Sequence, residues 1–232
     1  VIPLVAPVLP DLPDNCLTRN DWICGKYYET RSAELTDALV QHIGIVLASV
    51  GLGLLVAIPL ALLARRYRRL EGIIVGTTTA IYTIPSLALF SLLVPVTGLG
   101  SRTVLIGLSL YTLTILVRAI LDGLKAVPAE VRESALGVGY DARRLLWRVE
   151  VPLALPAFMS GLRVATVSSV ALTTVGSILD YGGLGTLIVE DSTFRAQVLA
   201  GSVLCVALAI TLDVVLVLAQ RLMTPWSRRA RA

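Results

Sequence analysis

Side chains able to do chemistry are sparse in this chain, and they gather in one stretch. Between Pro128 and Pro152 run Glu130, Arg132, Glu133, Asp141, Arg143, Arg144, Arg148 and Glu150. No nucleophile–base set accompanies them. The chain has one histidine (His42), two lysines (Lys26 and Lys125) and three cysteines (Cys16, Cys24 and Cys205). No Gly-x-x-x-x-Gly-Lys-[Ser/Thr] occurs, so no phosphate-binding P-loop is encoded. Neither a metal-ligand cluster nor a catalytic triad is supported. The chemistry left to residues 128–152 is docking: charge and shape offered to another polypeptide.

The elements that position these charges follow from local rules. Pro128 suits the first position of a helix, where its missing N–H costs nothing. Glu130 and Glu133 then sit near the positive end of the helix dipole. Val131, Ala135 and Leu136 recur at helical spacing and give one apolar face. Gly137 and Gly139 are expected to end this helix by accepting positive φ. Asp141 is placed to cap a second short helix, with Leu145, Leu146 and Val149 on one face. Pro152 and Pro156 are expected to close the segment. Two short helices joined by a glycine turn make a knob suited to a cleft in a partner.

Glu133-Ser134-Ala135, then Gly139, then Val149-Glu150-Val151-Pro152 resembles the EAA loop of the membrane subunits of ABC importers. That pattern is Glu-Ala-Ala, three residues, Gly, nine residues, then Ile-x-Leu-Pro, and the spacing here fits. Ser134, Val149 and Val151 are mild departures. The resemblance implies that Glu133, Ser134, Ala135, Leu136, Gly137, Gly139, Val149, Val151 and Pro152 couple this chain to an ATPase subunit. It also implies that ATP and magnesium are bound by that partner, and that this chain binds no cofactor.

Composition agrees with a membrane setting. The chain is 56% hydrophobic and 16% charged, with a mean hydropathy of +0.81, which excludes an ordinary soluble domain. Five apolar runs have about the length that a bilayer crossing needs, roughly 20 residues. They are Ala38–Ala64, Ile73–Val96, Ser101–Val117, Leu153–Leu179 and Ala196–Leu222. The fold class read here is all-α and integral to a membrane, with residues 1–37 before the transmembrane domain (38–222) and a basic tail at 223–232. Orientation follows from Lys and Arg, which stay cytoplasmic in short loops. Four arginines follow the first run, five basic residues lie between the third and fourth, and four follow the fifth; five lie on the other side. An outside N-terminus and an inside C-terminus are therefore expected. These flanks account for the basic pI of 9.2 and give no reason to invoke nucleic acid.

The opening run, broken by Pro3 and Pro7 and lacking basic residues, reads as no signal peptide. Cys16 and Cys24 fall in the external segment, where a disulfide and two free thiols both remain open. Cys205 reads as a small core residue and His42 as an interfacial polar group. Pro85 is expected to kink the second span, with Thr83 and Ser86 satisfying freed carbonyls and lining a pathway. The pattern Gly72-x-x-x-Gly76 suggests close helix packing there. In the fourth span Ser169 and Thr173 divide between pathway lining and bonding to their own backbone. Asp213 stands well inside the fifth span, where an unpaired carboxylate is costly. A helix-packing hydrogen bond and attraction of a cationic solute are its two readings.

Two further segments narrow the resemblance. Thr83-Ile-Pro-Ser-Leu-Ala-Leu89 is similar to a segment of permeases that import glycine betaine, choline or carnitine. Ile178-Leu-Asp-Tyr-Gly-Gly-Leu-Gly-Thr186 resembles the outer glycine-rich loop of the same permeases. The resemblance implies the five-helix type I fold, a second permease subunit, two ATPase subunits and an extracytoplasmic binding protein, in a bacterial cytoplasmic membrane. Gly182, Gly183 and Gly185 are expected to keep that loop non-helical. The alternatives are a methionine or other amino-acid importer, an ATP-independent secondary transporter, and a membrane sensor subunit.

Overall fold

The computed structural model describes residues 15–226. Pro3, Pro7, Pro10, Pro13, Arg228, Arg229 and Arg231, and the opening run read as no signal peptide, lie outside the described residues. The described chain is helical, in the order α1 (Gly25–Thr30), α2 (Ser32–Arg66), α3 (Arg68–Thr83), α4 (Ser86–Thr97), α5 (Ser101–Lys125), α6 (Ala129–Gly137), α7 (Ala142–Leu145), α8 (Val151–Thr173), α9 (Leu184–Glu190) and α10 (Arg195–Met223). A π-helical turn at Leu146–Glu150 joins α7 to α8, and a 3-10 turn at Thr174–Leu179 extends α8.

Among the described residues, four stretches are long and apolar enough to cross a membrane, Ser32–Arg66, Ser101–Lys125, Ala142–Leu179 and Arg195–Met223, and a fifth is supplied if the bent pair Arg68–Thr83 and Ser86–Thr97 is one span. The 35 residues of α2 extend over roughly 52 Å at 1.5 Å per residue, well beyond a hydrocarbon core of about 30 Å. Membrane helices lack a hydrophobic drive to associate, so small residues must let them approach. Ala57, Ala61 and Ala64 of α2 do so against Leu113, Leu116, Val117 and Leu121 of the central helix α5, with Ala165 of α8 closing the cluster. At Gly161 an added Cβ would stand 2.1 Å from the Ala119 Cβ, which fixes the α5–α8 contact. Gly72 and Gly76, expected to pack closely, instead face open space in this chain.

Two spans depart from expectation. The second is not one kinked helix: α3 and α4 meet at a bend of 100°. Proline disfavours the helical region for the residue before it, and at Pro85 the chain takes the extended alternative. Ile84 is accordingly extended (φ −68°, ψ 127°), as is Pro85 (φ −55°, ψ 139°). The fourth span does not start after Pro152. The helix runs without a break from Ala142 through the π turn, so Pro152 lies inside a continuous helical run rather than at its start, and its missing N–H falls just after the π turn. Pro156 lies inside α8 and ends nothing.

At the opposite end of the molecule, Cys16 and Cys24 are joined by a disulfide. Its loop is tied down by Asn20, whose Nδ2 donates to the Thr193 carbonyl (2.8 Å) and whose Oδ1 accepts from the Arg195 amide (2.8 Å). In the adjoining turn Asp191 accepts from the Thr193 hydroxyl (2.6 Å), which holds its carboxyl below the ordinary range. Cys205 is half-buried beside this cluster.

Candidate functional site

The 128–152 segment forms an arm of two short helices joined by a glycine turn. Its first helix, α6, ends in a Schellman motif: the Tyr140 amide donates to the Ala135 carbonyl (3.1 Å) and the Gly139 amide to the Leu136 carbonyl (3.0 Å). Gly139 supplies the left-handed residue at φ +87°. Gly137 does not share that role, because it is the last helical residue. Asp141 then caps α7, its Oδ1 accepting from the Arg144 amide at 2.7 Å. Of the residues expected to couple, Glu133, Ser134, Leu136, Gly137 and Gly139 are exposed, while Ala135 packs inward. Val149, Val151 and Pro152 are half-buried. Val138 (77% exposed) and Trp147 (54% exposed) add apolar surface that the motif does not specify.

What holds the arm is Glu150, the variable position of the Val149-x-Val151-Pro152 motif. Its side chain is buried, pairs with Arg65 at the end of α2, and lies 3.1 Å from Arg132 Nε of α6. Arg132 Nη2 also donates to the Leu124 carbonyl at the end of α5. Lys125 pairs with Glu71 of α3. A buried carboxylate is costly unless paired; Arg65 hydrogen-bonds this one, and Arg132 adds a second positive charge beside it without a hydrogen bond from its Nε. The signal for Glu150 was a single acid between two valines before a proline.

A second region lies where α3 and α4 separate. The Ile84 carbonyl freed by the bend accepts from the Tyr111 hydroxyl of α5. Thr83 was expected to serve that group, but its hydroxyl bonds Ala80 instead (2.7 Å). Thr83 and Pro85 are exposed, and Ser86 lines a cleft of about 330 Å³ with Thr174, Ser177, Ile178 and Ile188. Ser169 and Thr173 line no open surface of this chain. They are 1% and 0% exposed and bond back to the carbonyls of Ala165 (2.9 Å) and Ser169 (2.7 Å). Their period places them on the face of α8 that packs inward.

His42 is a core residue, not an interfacial one. Its Nε2 donates to the Val170 carbonyl (3.1 Å), and its Nδ1 accepts from the Leu184 amide (3.2 Å). These partners define one neutral tautomer. The ring clasps the start of α9 to α8, and Gly183, at φ +54°, passes so close that a Cβ would meet the His42 Cβ at 2.7 Å. The glycine-rich loop is shorter than expected, because Gly185 already lies in the first turn of α9.

The charges furthest inside the last two spans meet. Arg163 Nε and Nη2 donate to Asp213 Oδ1 and Oδ2 at 2.7 and 2.8 Å, a bidentate pair that ties α8 to α10. Depth was the available signal: Arg163 follows Leu153 by ten residues and Asp213 precedes Leu222 by nine, on antiparallel spans. Among the described residues, no group of His, Cys, Asp and Glu is placed to hold a metal ion.

Comparison with known proteins bears on this geometry. The chain is 34% identical over 208 residues to the glycine betaine/carnitine/choline transport system permease protein OpuCD of Bacillus subtilis, covering 88% of this chain and 91% of the relative. It is 33% identical over 202 residues to the choline transport system permease protein OpuBB of the same organism (86% and 93% covered). It is 33% identical over 208 residues to the osmoprotectant import permease protein OsmW of Salmonella typhimurium (86% and 96% covered). Among solved structures, an inward-facing form of the MetNI methionine ABC transporter superposes with a TM-score of 0.75 at 18% identity, over 84% of this chain and 99% of that one. That likeness establishes the fold. A family profile described as "Binding-protein-dependent transport system inner membrane component" matches residues 49–229, most of the chain. An all-α, multi-pass protein with a helical arm at one end of its spans, this chain belongs to that family of membrane permease components.

Proposed function

We propose that this chain is the membrane-spanning permease subunit of an ATP-driven importer for osmoprotectants of the glycine betaine, choline and carnitine type. One observation carries the mechanism: Glu150, buried between Arg65 and Arg132, fastens the arm to the ends of α2 and α5. An arm clamped in this way transmits displacement as a rigid body. In this reading a separate ATPase subunit, which holds ATP and magnesium, grips Glu133, Ser134, Leu136, Gly137 and Gly139 in a cleft. Ala135 supports that surface from beneath, and Val149, Val151 and Pro152 carry the motion into α8. ATP-driven closure of two such subunits then swings the spans of this chain against those of a second permease subunit. An extracytoplasmic binding protein delivers solute near α9. The arm and the C-terminus lie on the cytoplasmic side in this reading, which the Lys and Arg bias supports, and the membrane is a bacterial cytoplasmic one, which the bacterial relatives support.

The cargo rests on the relatives, which are permeases for these solutes at 31–34% identity across most of their length. The methionine alternative is supported by shared fold alone, at 18% identity. The test is ATP-dependent uptake into liposomes that hold this subunit with its ATPase, partner permease and binding protein. Labelled glycine betaine is expected to enter, and choline or carnitine to compete. Competition by methionine alone would replace the cargo. Absence of ATP-dependent uptake by an assembled complex would reject the importer reading.

A further inference from the structure

The Arg163–Asp213 pair lies deep within two membrane-spanning helices, yet about a third of each side chain is open (33% and 32%). Beside it is a recess of about 310 Å³, lined also by Ser160, Val164, Val167 and Ser168. Arg163 uses two of its five N–H donors on Asp213, and each carboxylate oxygen keeps a free lone pair. Lipid tails cannot serve these groups, and ionisable side chains within a membrane face protein or a water-filled cavity. The recess also belongs to a longer open face. Ala157, Ser160, Val164, Val167 and Ala171 are exposed at steps of three and four residues along α8, and Ile178 continues that face into the cleft at Ser86 and Ser177.

We propose that Arg163 and Asp213 form a paired-charge subsite on the solute route, where the guanidinium takes the carboxylate and the aspartate takes the fixed cation of a zwitterionic solute. The ligand rests on the osmoprotectant reading; the aqueous exposure of the recess does not. Each charge already neutralises the other, so the site offers complementary ends without net charge. Its size falls at the low end of small-molecule pockets, and binding that is weak enough to leave is what a route requires. A zwitterion engages both charges, whereas choline, which lacks a carboxylate, engages the aspartate alone.

The test uses the reconstituted complete complex. In the double variant Arg163→Gln/Asp213→Asn, the uptake ratio of glycine betaine to choline at sub-saturating solute is expected to fall about tenfold. The swap Arg163→Asp/Asp213→Arg keeps the pair, guards against misassembly, and should recover part of the ratio. In a Cys205→Ser background, Ser160→Cys should react with a membrane-impermeant maleimide and be protected by glycine betaine. An unchanged ratio with equal loss of both solutes would reduce the pair to a structural tie and overturn the subsite. Failure of Ser160→Cys to react in open membranes would overturn it as well. A parent complex that imports neither solute would instead sink the osmoprotectant reading, leaving the labelling to decide whether the recess is aqueous.

Discussion

Glu150 and His42 show how single side chains hold this permease together. Removing one member of a buried ion-pair group leaves the others uncompensated, so Glu150→Ala should destabilise the arm by on the order of 3 kcal/mol. Glu150→Gln, which keeps an acceptor for Arg65, should recover part of that loss. Thermal unfolding of the purified complex reads both, and equal melting of all three proteins would show that the clamp contributes nothing. Gly139 acts differently, through its backbone. At φ +87° a valine is strained, and the Schellman bonds to Ala135 and Leu136 depend on that conformation. Gly139→Val is therefore expected to keep ATP hydrolysis and membrane insertion while uptake falls. Parallel assays of hydrolysis and uptake check this, and normal uptake would remove the proposed coupling role.

Among the elements, the α3–α4 break separates local preference from tertiary support. Pro85 favours an extended Ile84, and Tyr111 makes the bend tolerable by satisfying the Ile84 carbonyl. With Pro85→Ala the missing N–H returns and the chain can continue as one helix. Spin labels at the exposed positions 72 and 96 should then move apart toward the roughly 36 Å expected for 24 helical residues. An unchanged distance would mean that Tyr111 and the packing of α5 hold the bend without the proline. The π turn at Leu146–Glu150 is the counterpart on the other side of the molecule, where an uninterrupted helix joins the arm to α8.

The whole molecule is a core of α2, α5 and α8, with α10 laid against α8 and the bent pair against α5. Its ends differ in character: a disulfide and a glycine-rich loop at one, a clamped arm at the other. If the arm is cytoplasmic, a cysteine introduced at exposed Val138 should be inert to impermeant maleimide in sealed cells and react once they are opened. One at exposed Trp22 should react from outside in both cases. The reverse pattern would invert the topology and leave an ATPase nothing to grip.

Membrane character, helical class, the arm and the family resemblance were legible in the sequence, because they rest on local properties. Apolar run length, Gly139 and the offsets of Glu133 and Pro152 each act within a few residues. The 100° bend was legible only as a kink at Pro85, since the Ile84 carbonyl it frees is met by a Tyr111 hydroxyl 27 residues from Ile84. Which way a side chain faces was less legible. Ser169 and Thr173 share α8 with Ser160 and Ser168, and packing against neighbouring helices sends the first pair inward and leaves the second beside an open recess. The partners of Glu150, His42, Arg163 and Asp213 come from elements distant in sequence. An apolar span records that a buried charge needs a partner, and only the folded packing of the helices decides which one it meets.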